Sequence, residues 1–420
     1  MDKIEVRAAS VKDIDAIITV LDKAFKRNIS EVREIYDKKY EEIEKNIDQW
    51  LVLEVEGNII GTVRIHKHWM KIGKSNILKG DVGDVAILPE HQGKGYGHKL
   101  MEEAVKWMKE NNFDISRLGG LCRFYKRFGY IRFPRRYIEI EIGRKARAGA
   151  SFVEEGELPI DEEMLKKIDI FRETDRDACI KLREEFYSRY NGVLIDEDFG
   201  VSQIFYVFRE GNEILGYIGG VKYEEEFSEF EAKITIYNLA YKWNKPYVLQ
   251  TLLKYINNFA YKNGINRITL RIPFDPEIIE PLLEIPFRFK AIETYGGATA
   301  NMLQIINIMS LFNRLVPELE ERLRKQGLSS YSKVIKISTE KDIVILDINK
   351  GKIKILKDKK ADTELKIKEF YLLHLILGLL SFSEVEEVLK EKEKIKIIPE
   401  ERNLLNVLFP RFLVFSGIWG

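Results

Sequence analysis

A segment near residue 56 of this chain returns near residue 210. Glu56-Gly57-Asn58-Ile59-Ile60-Gly61 reappears as Glu210-Gly211-Asn212-Glu213-Ile214-Leu215-Gly216. Each copy follows one apolar β-rich run and opens another, which is a hairpin signal. The order continues alike in both places. A strand-like run at 82–88 precedes a helical run at 96–111, and one at 234–240 precedes a helical run at 248–263. Four elements matched in order point to a duplicated unit rather than to chance.

The elements upstream fit a mixed α/β unit. Residues 4–7 read as a short edge strand. Ile14, Ile17, Ile18, Leu21 and Phe25 fall at helical spacing, and 31–47 is a second, heavily charged helical stretch. Residues 51–55 and 59–65 are β-rich. From about residue 300 the pattern changes. Residues 302–323 read as one or two amphipathic helices. Short β-runs follow at 333–337, 343–348 and 352–356, with Asn349-Lys350-Gly351 as a turn. The apolar stretch at 370–382 is shorter than the roughly 20 residues that span a bilayer, and reads as a buried helix. With 420 residues, three units are expected, divided at 1–150, 151–299 and 300–420.

Charge narrows the function classes. Lys and Arg total 68 against 67 Asp and Glu, so the basic excess of a bulk nucleic-acid binder is missing. Two cysteines, Cys122 and Cys179, make neither a disulfide framework nor a four-thiolate zinc site. The charged start lacks the apolar core of a signal peptide. A cytoplasmic protein, acting on neither membrane nor nucleic acid, is the expectation.

The chemistry-bearing motif is Gln92-Gly93-Lys94-Gly95-Tyr96-Gly97, between a strand and a helix. Glycines let successive backbone N–H groups turn into one cavity, and the helix N-terminus adds its dipole, so the turn suits a pyrophosphate. It lacks the Gly-Lys-Ser/Thr ending of a Walker loop. Hairpin-linked strands come first, unlike a Rossmann unit.

The run from Gly83 through Gly97 resembles the acetyl-CoA motif of GCN5-related N-acetyltransferases (GNAT). Phe124-Tyr125-Lys126-Arg127-Phe128-Gly129-Tyr130 resembles the later Tyr-x-x-x-Gly-Phe/Tyr element of that family. Over its whole length the chain is similar to the Eis-type (enhanced intracellular survival) acetyltransferases. Ala300-Asn301-Met302-Leu303-Gln304-Ile305-Ile306 looks like the entry to their carrier-like domain. Residues 361–367, 406–410 and 415–420 look like its late strand and ending.

The resemblance implies an α/β (α+β) fold: two tandem GNAT-like mixed-sheet domains, the second degenerate, then an α+β sterol-carrier-protein-like domain. It implies acetyl-CoA as cosubstrate and no metal. Val85, Ala86 and Ile87 pair with the pantetheine arm. Gln92, Gly93, Lys94, Gly95, Tyr96, Gly97 and His98 take the pyrophosphate, and Gly120 and Leu121 belong to the same site. Tyr125 protonates the leaving thiolate, a role that suits a phenol of pKa about 10 against a thiol of about 8.5. The C-terminal carboxylate, here that of Gly420, acts as base. The family more often ends on an aromatic residue, and this chain ends Trp419-Gly420. The implied acceptor is a small-molecule or peptide amine: an aminoglycoside, a polyamine or a lysine side chain. A homo-oligomer, a hexamer, is implied too. The second copy has Tyr241-Lys242-Trp243-Asn244-Lys245-Pro246-Tyr247 in place of the loop, with no glycine and with a proline that lacks an N–H. One CoA site per chain is therefore expected.

Other readings stay open. A non-enzymatic CoA sensor or lipid carrier is the alternative, and a longer-chain acyltransferase is a third. Tyr125 also reads as an aromatic packing residue. His66 and His68 read as surface or half-buried histidines rather than metal ligands, His91 as exposed, His374 as a hydrogen-bonded core histidine and Cys122 as a small packing residue. Glu31, Glu34, Asp37, Glu41 and Glu44 either cover the acceptor site or form a solvated face. Glu224, Glu225, Glu226, Glu229 and Glu231 invite the same two readings. Arg132, Arg135, Arg136, Arg144, Lys145 and Arg147 form a basic patch, facing the CoA 3′-phosphate or solvent.

Overall fold

The computed structural model describes residues 3–142, 157–195, 199–223, 232–265, 267–393 and 399–415. The first sheet opens with β1 (Ile4–Ala8), β2 (Trp50–Val55), β3 (Asn58–Ile72), β4 (Ser75–Ile87) and β5 (Ile115–Leu121). Glu56 and Gly57 both have positive φ, 51° and 82°, which is the two-residue turn that matches strand twist. The β3–β4 hairpin runs seven residues past the expected β-run, because Met70, Ile72 and Ile77 at its tip are fully buried against the third unit. His66, Lys67 and His68 interrupt the apolar pattern that would have announced this extension.

Helices Ile14–Phe25 and Arg33–Lys45 cover one face of the sheet, and helix Tyr96–Glu110 covers the other. The first buries Ile14, Ile17, Ile18 and Leu21 completely, each contributing about 1.5–3 kcal/mol by burial.

Next come β6 (Ile131–Arg132) and β7 (Arg135–Glu141), and here the chain leaves its sheet. β7 enters a second sheet built from β8 (Ile168–Ile170), β9 (Ile204–Glu210), β10 (Glu213–Tyr223), β11 (Lys233–Tyr241), β12 (Arg267–Leu270) and β13 (Arg288–Thr294). β14 (Thr299–Ile305) then returns to the first sheet, between β5 and β6. The strand orders are β1-β2-β3-β4-β5-β14-β6 and β8-β9-β10-β11-β12-β7-β13. The two sheets thus have one topology, with a parallel pair at β4/β5 and again at β11/β12. They exchange one strand in the same slot.

The sheets therefore cross the sequence divisions at 150 and 299. Residues 300–305, expected to open the third unit, are instead part of an interior strand of the first sheet, next to its edge strand β6. The reason lies in their burial. Ala300, Met302 and Ile306 pack in the first unit's core, and Leu303 and Ile305 pack in the third's. The helix expected at 302–323 begins only at Ile308 and runs to Lys325. Asn307 caps it, its side chain accepting from the Ser310 N–H at 3.1 Å.

The third unit is a four-stranded sheet in the order β17 (Lys352–Leu356), β16 (Ile343–Asn349), β15 (Lys333–Ser338) and β18 (Thr363–Lys366). The apolar stretch forms helix Glu369–Leu377, ended by Gly378 at φ 83°. It is buried. No helix among the described residues is long and apolar enough to cross a membrane. His374 is a core histidine, with Nδ1 2.7 Å from the Phe370 carbonyl.

Candidate active site

The site begins with an irregularity in β4. Arg64 of β3 pairs with Gly83 and Thr62 pairs with Ala86, so β4 carries one residue more than its partner over this step. Asp84 absorbs the extra residue with φ 47°. Its Oδ1 accepts from Arg27 Nη1 at 3.0 Å. On its other side β4 pairs with β5 only from Lys79↔Ile115 to Val82↔Leu118. Beyond that level β4 follows β3, and β5 follows β14 out to Leu121↔Thr299. The two parallel strands part into a wedge. Val85, Ala86 and Ile87 stand on one wall, Gly120 and Leu121 on the other.

The Gly-rich turn closes the open end of this wedge. Gln92 Nε2 donates to the Ile87 carbonyl at 2.9 Å, tying the turn to the end of β4. Gly93 and Gly95 adopt φ 75° and 87°, with open space where a Cβ would stand. Gly95 caps helix Tyr96–Glu110, and the His98 and Lys99 N–H groups donate to its carbonyl. The N–H groups of Gly93, Lys94, Gly95, Tyr96 and Gly97 make no backbone hydrogen bond among the described residues. Five unengaged donors at a helix N-terminus suit an oxyanion. Gly97 packs near Phe124. The His98 ring lies 4.9 Å from that of Phe128, and its Nε2 is 3.1 Å from Glu102.

Tyr125 ends the one-turn helix Cys122–Tyr125 that follows β5. Its ring stands edge-on to Phe124 at 4.9 Å, and a Cβ on Gly120 would run into it. Tyr125 is half-buried, and burial pushes its phenol above the usual range, with no hydrogen-bonding partner among the described residues offsetting that. Gly129, at φ 95°, turns the chain back so that Tyr130 is buried, hydroxyl to hydroxyl with Ser116 at 2.7 Å. Cys122 is buried and packs as a small residue, with Sγ 3.6 Å from the Gly297 carbonyl.

The face of the first sheet away from helix Tyr96–Glu110 carries groups that sequence reasoning passed over. His66 sits cross-strand from Asp81, and its ring lies beside Gly83 at the bulge. Burial, with Arg64 and His68 adding, holds its imidazole down to about 4. Asp81 Oδ2 takes Lys79 Nζ at 2.9 Å, while Oδ1 is buried without a partner among the described residues. A cavity of about 1000 Å3 opens here between the two sheets, lined in part by His68, Asp81, Arg135 and Phe415. The only signal for this grouping was strand alternation over 79–83. The bulge that flips it is invisible in sequence. The described residues contain no group of three or more His, Cys, Asp and Glu placed to hold a metal ion.

The acidic helix Arg33–Lys45 is a solvated, internally paired face, with Arg33–Asp37 at 2.9 Å and Lys39–Glu42 at 3.0 Å. Of the basic patch, Arg135 and Arg136 line the cavity between the sheets and Arg132 is exposed. Gly420, the five glutamates at 224–231, and Arg144, Lys145 and Arg147 lie outside the described residues.

In the second sheet the counterpart of the Gly-rich turn is filled. Trp243 stacks on Phe186 at 4.4 Å, and Arg189 lies over Trp243. Pro246 begins the helix. The bulge survives there, with Gly219↔Asn238 and Gly220↔Ile236 leaving Tyr237 extra. The backbone device is kept and the amide cradle is lost.

Comparison with known proteins agrees with this geometry. Residues 5–132 match the family model described as an acetyltransferase (GNAT) domain. Over 118 residues the chain is 27% identical to an uncharacterized N-acetyltransferase of Archaeoglobus fulgidus, a match spanning 27% of this chain and 80% of that protein. In fold it is similar to a GCN5-related N-acetyltransferase from Anabaena variabilis, with TM-score 0.62, 15% identity, and 98% of this chain and 100% of the other covered. It is also similar to Eis1 from Mycobacterium abscessus, with TM-score 0.57, 15% identity and 99% of each chain covered. The parted strands and the amide-lined turn thus lie within the residues that match a GNAT acetyltransferase domain, and the chain is an acyl-CoA-dependent N-acetyltransferase.

Proposed function

We propose that this chain transfers the acetyl group of acetyl-CoA to a primary amine by direct attack, with Tyr125 as the proton donor. The observation that carries the reading is the wedge between β4 and β5, with unengaged amides of residues 93–97 at its open end and Tyr125 against Gly120 on its wall. A bound thioester supplies an electrophilic carbonyl carbon. The chain's own residues do the rest. Backbone groups of Val85 to Ile87 hold the pantetheine arm as an added strand. Amides at Gly93 to Gly97 take the pyrophosphate.

The amine nitrogen forms a bond to the carbonyl carbon, and the C–S bond breaks. The sulfur leaves with the electron pair and takes the Tyr125 proton. A phenol raised by burial is fully protonated near neutral pH, as a donor must be. The amine's surplus proton goes to a base. The Gly420 carboxylate remains our assignment for that base, on the resemblance to Eis-type enzymes. Phe415, five residues before it, lines the cavity beside Asp81.

The Eis-type reading draws support from the full-length fold likeness. It brings with it a carrier-like third unit and a homo-oligomer, a hexamer. The test is thiol release from acetyl-CoA with a panel of primary amines, run beside Tyr125→Phe. Acceptor-dependent release that collapses in the variant is expected. Tight acetyl-CoA binding without release for any amine would leave a CoA sensor instead. Sedimentation of the purified chain tests the assembly.

A further inference from the structure

We propose that the acceptor carries an oxyanion, a carboxylate or a phosphate, beside its amine, and that Arg135 and Arg271, backed by Arg117, bind that oxyanion. The proposal rests on the acetyl-transfer reading and narrows its acceptor.

Three arginines converge where the wedge closes. Arg117 of β5 stands opposite Asp81 of β4, one level before the strands part. Arg135 opens β7, the strand exchanged into the second sheet, and its Nη2 lies 3.4 Å from where a Cβ on Gly119 would stand. Arg271 directly follows β12, with its guanidinium carbon 4.8 Å from the Tyr237 ring centre. Three strands from two sheets thus bring their cations to one place, and the strand exchange makes this possible.

Among the described residues these guanidiniums are not neutralised. None of the three makes an ion pair with a carboxylate among the described residues. Arg117 Nε donates to the Asn301 side-chain oxygen at 2.8 Å, and Arg135 Nε is buried without an acceptor among the described residues. Burial, and then the neighbouring arginines, lower the affinity of Arg135 for its own proton. Burial acts likewise on Arg117, where Asp81 partly compensates. A buried donor left unmatched and cations set against each other both cost stability. A bound oxyanion removes both costs. The planar fork of arginine matches a carboxylate or phosphate with two parallel hydrogen bonds.

The surroundings agree. Arg135 and Arg271 line the cavity of about 1000 Å3 whose described lining holds eight lysines and arginines against three carboxylates. Such a volume takes a dipeptide-sized ligand. A polyamine or aminoglycoside would meet like charge there. The phosphates of CoA belong elsewhere: their cradle lies past Ile87, six residues along β4 from Asp81, or about 20 Å of strand.

The test is steady-state acetylation by the full-length chain, with glutamyl-glutamate, O-phosphoethanolamine, glutaminyl-glutaminamide and spermidine as acceptors. We expect the two acidic amines to be preferred by tenfold or more in kcat/KM. Arg271→Gln should raise their KM by roughly tenfold to a hundredfold while leaving the KM of acetyl-CoA unchanged. Arg271→Lys, which keeps the charge and loses the fork, should fall between. Preference for spermidine, or equal loss for acidic and neutral amines in Arg271→Gln, would overturn the proposal and leave acetyl transfer standing. If no amine is acetylated, the transfer reading fails separately, and calorimetry with glutamyl-glutamate decides the site. Binding that Arg271→Gln abolishes supports it, and no binding to the wild-type chain overturns it.

Discussion

The ring of Tyr125 occupies the space that a side chain at Gly120 would need. The proposed donor is therefore placed by an absence of atoms on the neighbouring strand. Gly120→Ala forces the ring off the wedge wall or strains β5, with an overpacking cost of about 1–3 kcal/mol. The expected outcome is a fall in kcat with a modest loss of stability. Tyr125→Phe keeps the ring and removes only the proton, so it should lower kcat by about 10²–10⁴-fold at unchanged melting temperature. Kinetics and thermal unfolding on the two variants separate placement from chemistry.

The same tyrosine sets a pH dependence. Burial raises its phenol above the usual value, so the donor form persists past the ordinary tyrosine range near pH 10. Activity at saturating substrates should hold through neutral pH and decline only at a pH above that range. In Tyr125→Phe the residual rate should lack this alkaline decline. A pH–rate profile on both proteins checks the sign.

Gly95 caps its helix at φ 87°, and the space around it is open. A residue with a Cβ meets no neighbour there but resists the left-handed backbone, at about 1–2 kcal/mol. Gly95→Ala should weaken CoA binding by tenfold or more, by turning amides away from the pyrophosphate, and lower stability by no more than that backbone cost. Titration calorimetry should also give one CoA per chain, because Trp243 and Pro246 fill the second copy's turn.

Much of this was legible in sequence, for a physical reason. The hairpin, the glycine turn and the helix behind it are local, and Gly57, Gly93 and Gly95 mark backbone that only glycine adopts easily. The duplication showed because both copies keep that local order. What escaped was non-local. Residues 299–305 carry no mark saying which sheet they join, since strand exchange is decided by two cores at once. The grouping of Arg117, Arg135 and Arg271 needs three strands from distant parts of the chain. The extra residue at Asp84 was hidden because nothing in a single strand reports its partner's register.

Arg7 and Asp13 fix the entry to the first helix. Nη1 and Nη2 of Arg7 meet the two carboxylate oxygens at 2.7 and 3.0 Å, and the Ser10 N–H adds a third bond. The guanidinium holds the Asp13 carboxyl down at about 2, against the cost of burial. A depressed carboxylate stabilises the fold above its unfolded value near 4 and loses that contribution as pH falls toward 2. On the order of 2 kcal/mol is at stake. Asp13→Asn should be less stable than wild type at pH 6, and the gap in melting temperature should narrow steadily as pH falls from 4 toward 3.

At the far end of the β3–β4 hairpin, Glu318 and Arg322 form a buried pair, Nε to Oε1 at 2.8 Å, with each side chain 7% exposed. Glu318 also accepts the Lys74 N–H at 2.7 Å, and Arg322 donates to the Leu408 carbonyl at 2.6 Å. One ion pair thus ties the hairpin tip, helix Ile308–Lys325 and helix Pro399–Leu408 together. Glu318→Gln leaves a buried guanidinium uncompensated, a change that typically costs about 3–5 kcal/mol. Replacing both partners, as Glu318→Leu with Arg322→Met, should cost less than that single change, because no orphaned charge remains. The tip lies nine residues of β4 from the Asp84 bulge, about 30 Å of strand. Thermal unfolding should therefore register both variants, while the KM for acetyl-CoA of the folded fraction stays within about twofold of wild type, as expected for non-interacting sites. A matching rise in that KM would mean that the hairpin transmits the state of its tip to the wedge.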